Sequence, residues 1–475
     1  MEECVNDEHR VNDEHRVNDE HRVNDEHRVN GNDASTALFL APNAASVQRC
    51  ASCGHTLDER EDAPVCPLCG SLLEVLHARP VDAAGNVMSG AALQASFAHH
   101  CCARPAGHPS GVWRFEQIVM PAAGSAITSH PEGNTPLLAR AALARFTGVD
   151  GLLIKHEGHN PTGSFKDRGM TVGVTQAVRI GASAVACAST GNTSAALASY
   201  AAQAGIPGLV FVPAGKIAMG KLAQTLAYGA RTLLVRGDFD ACLRLVQASS
   251  RELGIYLLNS INPWRVEGQK TIVLELLQQL GWQAPDFIVL PAGNLGNTAA
   301  FGKALREAYA LGLIDRMPRL VSVQAAGAAP FAKSFREGFA TRYTVSAETI
   351  ATAIRIGDPA SWDRGVRAIR ETNGLVLSCT DDEIIEAKVA IDAAGVGCEP
   401  ASAASVAGVK QLVASGVVHR GDRVVAVLTG HVLKDPGMLV ELHQERTDFA
   451  QANRPIEIEP DVSAVSRVLR SMQAS

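Results

Sequence analysis

In the stretch Asn160 to Met170, "NPTGSFKDRGM", Lys166 follows a Pro-Thr-Gly-Ser turn at the start of a new apolar segment. An amine held there could attack a carbonyl if it lost its proton near neutral pH. The plain alternative is a solvated helix start beside Asp167 and Arg168, since most lysines are exposed. Two other segments bear on the choice. "PAGNLGN", Pro291 to Asn297, follows the apolar run "DFIVL" and precedes the helical pattern "TAAFGKALREAYA". Its glycines let backbone amides converge, and a helix start adds a positive dipole end, so a phosphate fits there. "ASTGNTSAALASYAA" repeats the arrangement with Ser189, Thr190, Gly191, Asn192 and Thr193. Alone, each reads equally well as an ordinary turn or N-cap. Two anion-ready helix starts beside a turn-borne lysine predict a phosphate-bearing cofactor that also takes a covalent lysine.

A second chemistry is carried by cysteine. Cys50-Ala-Ser-Cys53 and Cys66-Pro-Leu-Cys69 form two CxxC pairs separated by twelve residues. Four thiolates so spaced suit a tetrahedral Zn²⁺, and four protein ligands leave no open position, so the zinc would serve stability or interaction. A metal-free remnant or a redox pair is the competing reading. The other cysteines are scattered, which fits a reduced compartment.

Elements that would hold these residues are visible as short apolar runs alternating with Ala/Leu-rich helical segments. "GLLIK", "ASAVACAST", "GLVFVPA", "ARTLLVRG", "DFIVLPAGN", "RLVSVQA" and "DRVVAVLTG" read as buried strands. The alternation predicts an α/β architecture with one or two doubly wound sheets, ligands sitting at the strand C-terminal ends. We expect a disordered tail and linker over 1–46, a zinc-ribbon-like module over 47–78, and a linker over 79–110. A catalytic region follows over 111–475, with a small domain of about 160–258 inserted in a larger one.

The tail holds four copies of "VNDEHR", starting at Val5, Val11, Val17 and Val23. Successive valines would stand 240° apart on a helix and bury too little on a strand to offset chain entropy. Its histidines, His9, His15, His21 and His27, read as solvated. Residues 1–30 carry ten acids and four arginines, which accounts for the whole net charge of −6. The remaining chain is formally neutral and shows no nucleic-acid footprint. No run approaches the ~20 apolar residues of a membrane span, and the acidic start argues against a transit peptide. A cytoplasmic enzyme without nucleic-acid or membrane partners is expected; assembly is left open, with a homodimer as one option.

"NPTGSFKDRGM" resembles the cofactor-lysine motif of pyridoxal-phosphate enzymes of the tryptophan synthase β-like fold. From about Val112 to Met438 the chain more narrowly resembles the threonine synthase family. Matching segments include "SGVWRFEQIVMP", "EGNTPLL", "KHEGHNPTGSFKDRGM", "ASTGNTSAALASYAAQAGI", "SINPWRVEGQKT", "PAGNLGN", "ATAIRIGDPASW", "CEPASAAS" and "LTGHVLKDPG". Some relatives also start with a zinc-ribbon-like piece similar to "RCASCG" and "VCPLCGSLLEV". Val432 departs from the pattern, standing where a glycine is expected.

The resemblance implies that Lys166 forms the internal aldimine with pyridoxal phosphate and is the catalytic residue. It implies cofactor contacts from Asn192 to the phenolic oxygen, from Thr429 to the pyridine nitrogen, and from Gly293, Asn294, Leu295, Gly296 and Asn297 to the phosphate. It further implies a substrate phosphate pocket of Ser189, Thr193, Ser260, Arg265 and Asn294, with Thr190 at the substrate carboxylate. The implied reaction is a carbon–oxygen lyase step of threonine biosynthesis, turning O-phosphohomoserine and water into threonine and phosphate by γ-elimination and β-addition. Two alternatives stand beside it: a sister lyase on another phosphorylated amino acid, such as a cysteate synthase, and a non-catalytic zinc-module interaction protein.

Overall fold

The computed structural model describes residues 38–102, 110–215, 219–237, 239–445 and 452–474. The VNDEHR repeats and most of the expected tail lie outside the described residues. Three sheets organise the rest. The smallest is antiparallel, in the order β2-β1-β3, and joins β1 (Val47–Cys50), β2 (Thr56–Asp58) and β3 (Leu73–Leu76).

Residues 79–110, expected to be an irregular linker, contain the helix Gly90–Cys102. Leu93 and Phe97, one turn apart, are fully buried on it, and the Phe97 ring meets Phe115 edge-on at 5.0 Å. Tertiary burial of this two-residue stripe overrides a local pattern too weak to predict a helix.

A four-stranded parallel sheet runs β8-β7-β6-β9, from β6 (Ala184–Ala188), β7 (Gly208–Pro213), β8 (Arg231–Val235) and β9 (Ile255–Leu257). The larger sheet has six strands in the order β12-β11-β10-β13-β5-β4. They are β4 (Leu137–Ala139), β5 (Gly151–His156), β10 (Phe287–Pro291), β11 (Arg319–Ala325), β12 (Leu375–Cys379) and β13 (Arg423–Leu428). Only β4 pairs antiparallel, to β5. Helices cover both faces, which is why the central strands read as continuous apolar runs rather than alternating ones.

Two helices at the heart of the molecule carry candidate residues at their starts: Lys166–Arg179 and Pro263–Gln279. They touch so closely that a Cβ on Gly268 would fall 1.8 Å from the Arg168 carbonyl oxygen, so only glycine fits there. Buried charges lock their register. Glu275 accepts from Lys155 at 2.6 Å and from Arg168 at 2.9 Å, and Arg114 lies 3.0 Å away. Arg168 also pairs with Glu157 at 2.7 Å. A buried carboxylate so surrounded is held well below the ordinary carboxylate range: the three cations outweigh its loss of solvation. Because Arg168 is two residues past Lys166, this network fixes the helix that presents the amine.

Candidate active site

The candidate residues come from loops at the C-terminal ends of strands in both larger sheets. Residues 163–165, just ahead of Lys166, are sewn to the segment following β13. Phe165 N donates to Thr429 O at 3.0 Å, and His431 N donates to Gly163 O at 2.9 Å. Asp167 closes the turn from the other side, accepting from Thr162 N at 2.7 Å and Thr162 Oγ1 at 2.6 Å. Its burial pushes its proton affinity up to about 7. The Pro-Thr-Gly-Ser turn is therefore a rigid mount, not a solvated helix start.

Lys166 opens its helix, half-buried, with Nζ 4.1 Å from the centroid of the Phe165 ring. Dense protein surroundings strip solvent from the ammonium, and the nearby Arg265 cation repels it. Together, and against the weaker pull of Glu399, they lower its proton affinity to about 7. Arg265 is wholly buried. Its Nη1 donates to Leu258 O at 2.9 Å, while Nε and Nη2 have no hydrogen-bond partner among the described residues. Desolvation lowers it to about 10. A buried guanidinium with two unpaired donors is a latent anion site.

The turn after β10 is shaped for a phosphate. Leu295 adopts φ 60°, and the helix Gly296–Ala310 that it precedes has no side-chain cap, leaving first-turn amides open to an anion. A Cβ on Gly293 would lie 2.9 Å from Ile354 Cα, so the chain passes there only as glycine. Asn297 Oδ1 is buried without a partner among the described residues, whereas Asn294 donates to Ser260 Oγ and accepts from Ala360 N at 2.6 Å. The helix Asn192–Ala204 also starts uncapped, from Gly191. Ser189, Thr190 and Thr193 lie half-buried around that start.

Asn192 and Thr429 face one group that the sequence did not single out. Asn192 Nδ2 donates to Glu399 Oε2 at 2.9 Å, and Thr429 Oγ1 lies 3.3 Å from Glu399 Oε1. The sequence shows Glu399 only as the residue before Pro400, at an N-cap position. Its contact with the other sheet's helix depends on topology. Val432, where a glycine is expected, packs against Gly397, whose Cβ would be 3.2 Å away.

The four cysteines meet as spaced. Cys50 Sγ lies 3.4 Å from Cys69 Sγ, and Cys53 Sγ lies 3.6 Å from Cys66 Sγ; all four sulfurs fall within 4.8 Å of one another. A tetrahedron with Zn–S near 2.3 Å needs sulfurs about 3.8 Å apart. Amides of Ser52 and Cys53 each lie 3.4 Å from Cys50 Sγ, the donors a bound thiolate would use.

The amine on its locked turn and the open turn after β10 both lie within residues 128–430, which match the family model of pyridoxal-phosphate dependent enzymes, and the chain belongs to that class. Within that class the chain belongs to the threonine synthase family of lyases, with the tryptophan synthase β-like fold. It is 42% identical to threonine synthase of Methanocaldococcus jannaschii over 428 residues, covering 90% of this chain and 100% of the relative. It is 46% identical to that of Methanosarcina acetivorans over 401 residues, covering 84% and 95%. The solved structure of threonine synthase from Escherichia coli shares the fold, with a TM-score of 0.63 at 17% identity over 90% of this chain and 100% of that one. Among the described residues, no helix is long and apolar enough to cross a membrane.

Proposed function

We propose that this site converts O-phosphohomoserine and water into threonine and inorganic phosphate. The observation that carries the reading is the meeting of Lys166 with Arg265. One supplies an amine whose proton affinity is lowered to about 7, so that a large share is neutral near that pH; the other supplies unpaired, buried N–H groups suited to a phosphate dianion.

Pyridoxal phosphate, when bound, supplies an electron sink for the pair released as the substrate loses its Cα proton. The open amides of Gly293 to Asn297 would hold its phosphate. Asn192 and Thr429 would orient its ring by neutral hydrogen bonds. Lys166 would anchor it, then take the Cα proton and shuttle protons at Cβ and Cγ. Cβ would lose a proton as the Cγ–O bond breaks and phosphate leaves; Cγ would then gain a proton, the hydroxyl of water would add at Cβ, and a proton would return to Cα. Arg265, Ser189, Thr193, Ser260 and Asn294 would hold the departing phosphate, and Thr190 the substrate carboxylate. The strands of the smaller parallel sheet, within 160–258, would move as a unit to close the cleft and exclude water until addition is due.

We assign the four-cysteine cluster one structural Zn²⁺, supported by its sulfur spacing and knuckle amides. The proposal is tested by comparing O-phosphohomoserine with homoserine and with O-phosphoserine plus sulfite. Threonine formed only from the first supports it; cysteate from the last, with no threonine, overturns it.

A further inference from the structure

Glu399 joins elements of the two larger sheets with a single carboxyl. Asn192, on one oxygen, opens a helix of the four-stranded sheet; Thr429, on the other, ends a strand of the six-stranded sheet. The room for this carboxyl is built in. A Cβ on Gly430 would lie 2.4 Å from Glu399 Cδ, so residue 430 must be glycine for the side chain to pass. Glu399 N donates to Gly430 O at 3.1 Å. Three residues on, Ser402 Oγ accepts from Thr429 N at 2.9 Å and Gly430 N at 3.0 Å, and lies 2.9 Å from Thr429 Oγ1. The start of the helix Pro400–Ala414 thus grips Thr429 on backbone and side chain alike.

We propose that Glu399 is a positioning residue that sets both Asn192 and Thr429 toward the cofactor ring across the cleft. This rests on the reading of those two side chains as the ring contacts. Asn192 Nδ2 has two hydrogens; committing one to Glu399 aims the other. Thr429 Oγ1, fixed between Ser402 and Glu399, has its remaining direction set.

The groups facing Glu399 are Lys166 and Lys434 as cations, Asn192 and Thr429 as hydrogen-bonding partners, and Cys398 as its chain neighbour. Burial outweighs them all and raises the carboxyl above its ordinary range. A glutamine keeps the length of this side chain and both of its hydrogen-bonding positions: its oxygen can accept from Asn192 while its amide nitrogen lies against Thr429 Oγ1. An aspartate, one methylene shorter, falls out of reach of at least one partner.

The test titrates apoproteins with pyridoxal phosphate and reads the dissociation constant and the pH dependence of the visible cofactor band. Wild type is compared with Glu399→Gln, Glu399→Asp, Glu399→Ala, Asn192→Ala and Thr429→Ala. Removing Glu399's contacts, by Ala or Asp, is expected to weaken cofactor binding about tenfold and move the band or its pH midpoint, whereas Gln stays within about threefold. Melting of the apoproteins shows which variants fold, and the Gln and Asp pair decides the matter if Ala does not. Combining Glu399→Asp with Asn192→Ala should add little to either alone, since they break one path. Wild-type affinity and spectra in Glu399→Asp, with Asn192→Ala or Thr429→Ala impaired, overturn the proposal. So does a Glu399→Gln as defective as Glu399→Asp. If Asn192→Ala and Thr429→Ala both behave as wild type, the ring-contact reading itself fails and takes the proposal with it.

Discussion

His77, one residue past β3, places Nε2 3.1 Å from Glu267 Oε2, two residues beyond Arg265 on the same buried helix. The cysteine module therefore holds the helix of the candidate phosphate-binding arginine. It also holds the helix of Lys166: Glu59 pairs with Arg179 at 2.5 Å, and Gln176 donates to Glu59 O at 2.6 Å. The module thus contacts the two helices whose starts carry the candidate residues Lys166 and Arg265.

Metal at the cysteines should accordingly appear as stability. Purified protein is expected to carry one zinc per chain. A strong chelator should lower its melting temperature by several degrees, while a Cys53→Ser, Cys69→Ser double variant melts low with or without chelator. Metal analysis with calorimetry checks this; a wild-type melt indifferent to chelation would remove zinc from the structure's support.

The lowered proton affinity of Lys166 sets a pH profile. Only the neutral amine reacts with a carbonyl, so the rate at which apoprotein captures pyridoxal phosphate should rise with pH through about 7 and level above it. Stability follows the same group. Its folded affinity, about 7, lies below its ordinary 10.5, so the unfolded chain binds the extra proton between those values. Lys166→Met should thus gain on wild type most below pH 7, the gain fading toward 10.5. Stopped-flow absorbance and denaturant titrations across pH check both.

Arg265 is expected to trade stability for substrate binding. Arg265→Met should lower kcat/KM for O-phosphohomoserine by about 100-fold or more through lost phosphate contacts. It should also stabilise the apoprotein by about 1–3 kcal/mol, because a buried cation with two unpartnered nitrogens, Nε and Nη2, is removed. Inorganic phosphate should raise the melting temperature of wild type more than that of the variant.

Glu275 shows the opposite sign. Glu275→Gln leaves Lys155 and Arg114 buried without a paired carboxylate and Arg168 with Glu157 alone, and should cost about 3–5 kcal/mol at pH 7. The folded carboxyl sits below its ordinary 4.5, so this contribution is complete above 4.5 and is lost as pH falls through the folded value. Denaturant midpoints at pH 7 measure the cost, and a series of midpoints descending from pH 5 follows its loss.

Seven strands of the two larger sheets, both glycine-rich turns, Lys166 and the cysteine quartet were readable because each rests on local chemistry: apolar runs, tight turns and fixed spacing; the short β4 and β9, and β12, were not picked out. Arg265 was readable by motif, but that its Nε and Nη2 find no partner among the described residues was not, since that depends on what packs around Leu258. The helix Gly90–Cys102 escaped because only Leu93 and Phe97 mark its buried face. Glu399 escaped for a deeper reason. Its partners stand 207 residues before it and 30 after it, and only the meeting of two sheets unites them.

The most direct test follows phosphate and threonine together. Wild-type protein loaded with pyridoxal phosphate should release one phosphate for each threonine formed from O-phosphohomoserine, and Lys166→Ala should form neither above background. Phosphate release without threonine, or full threonine synthesis by Lys166→Ala, would contradict the assignment of this chemistry to this lysine.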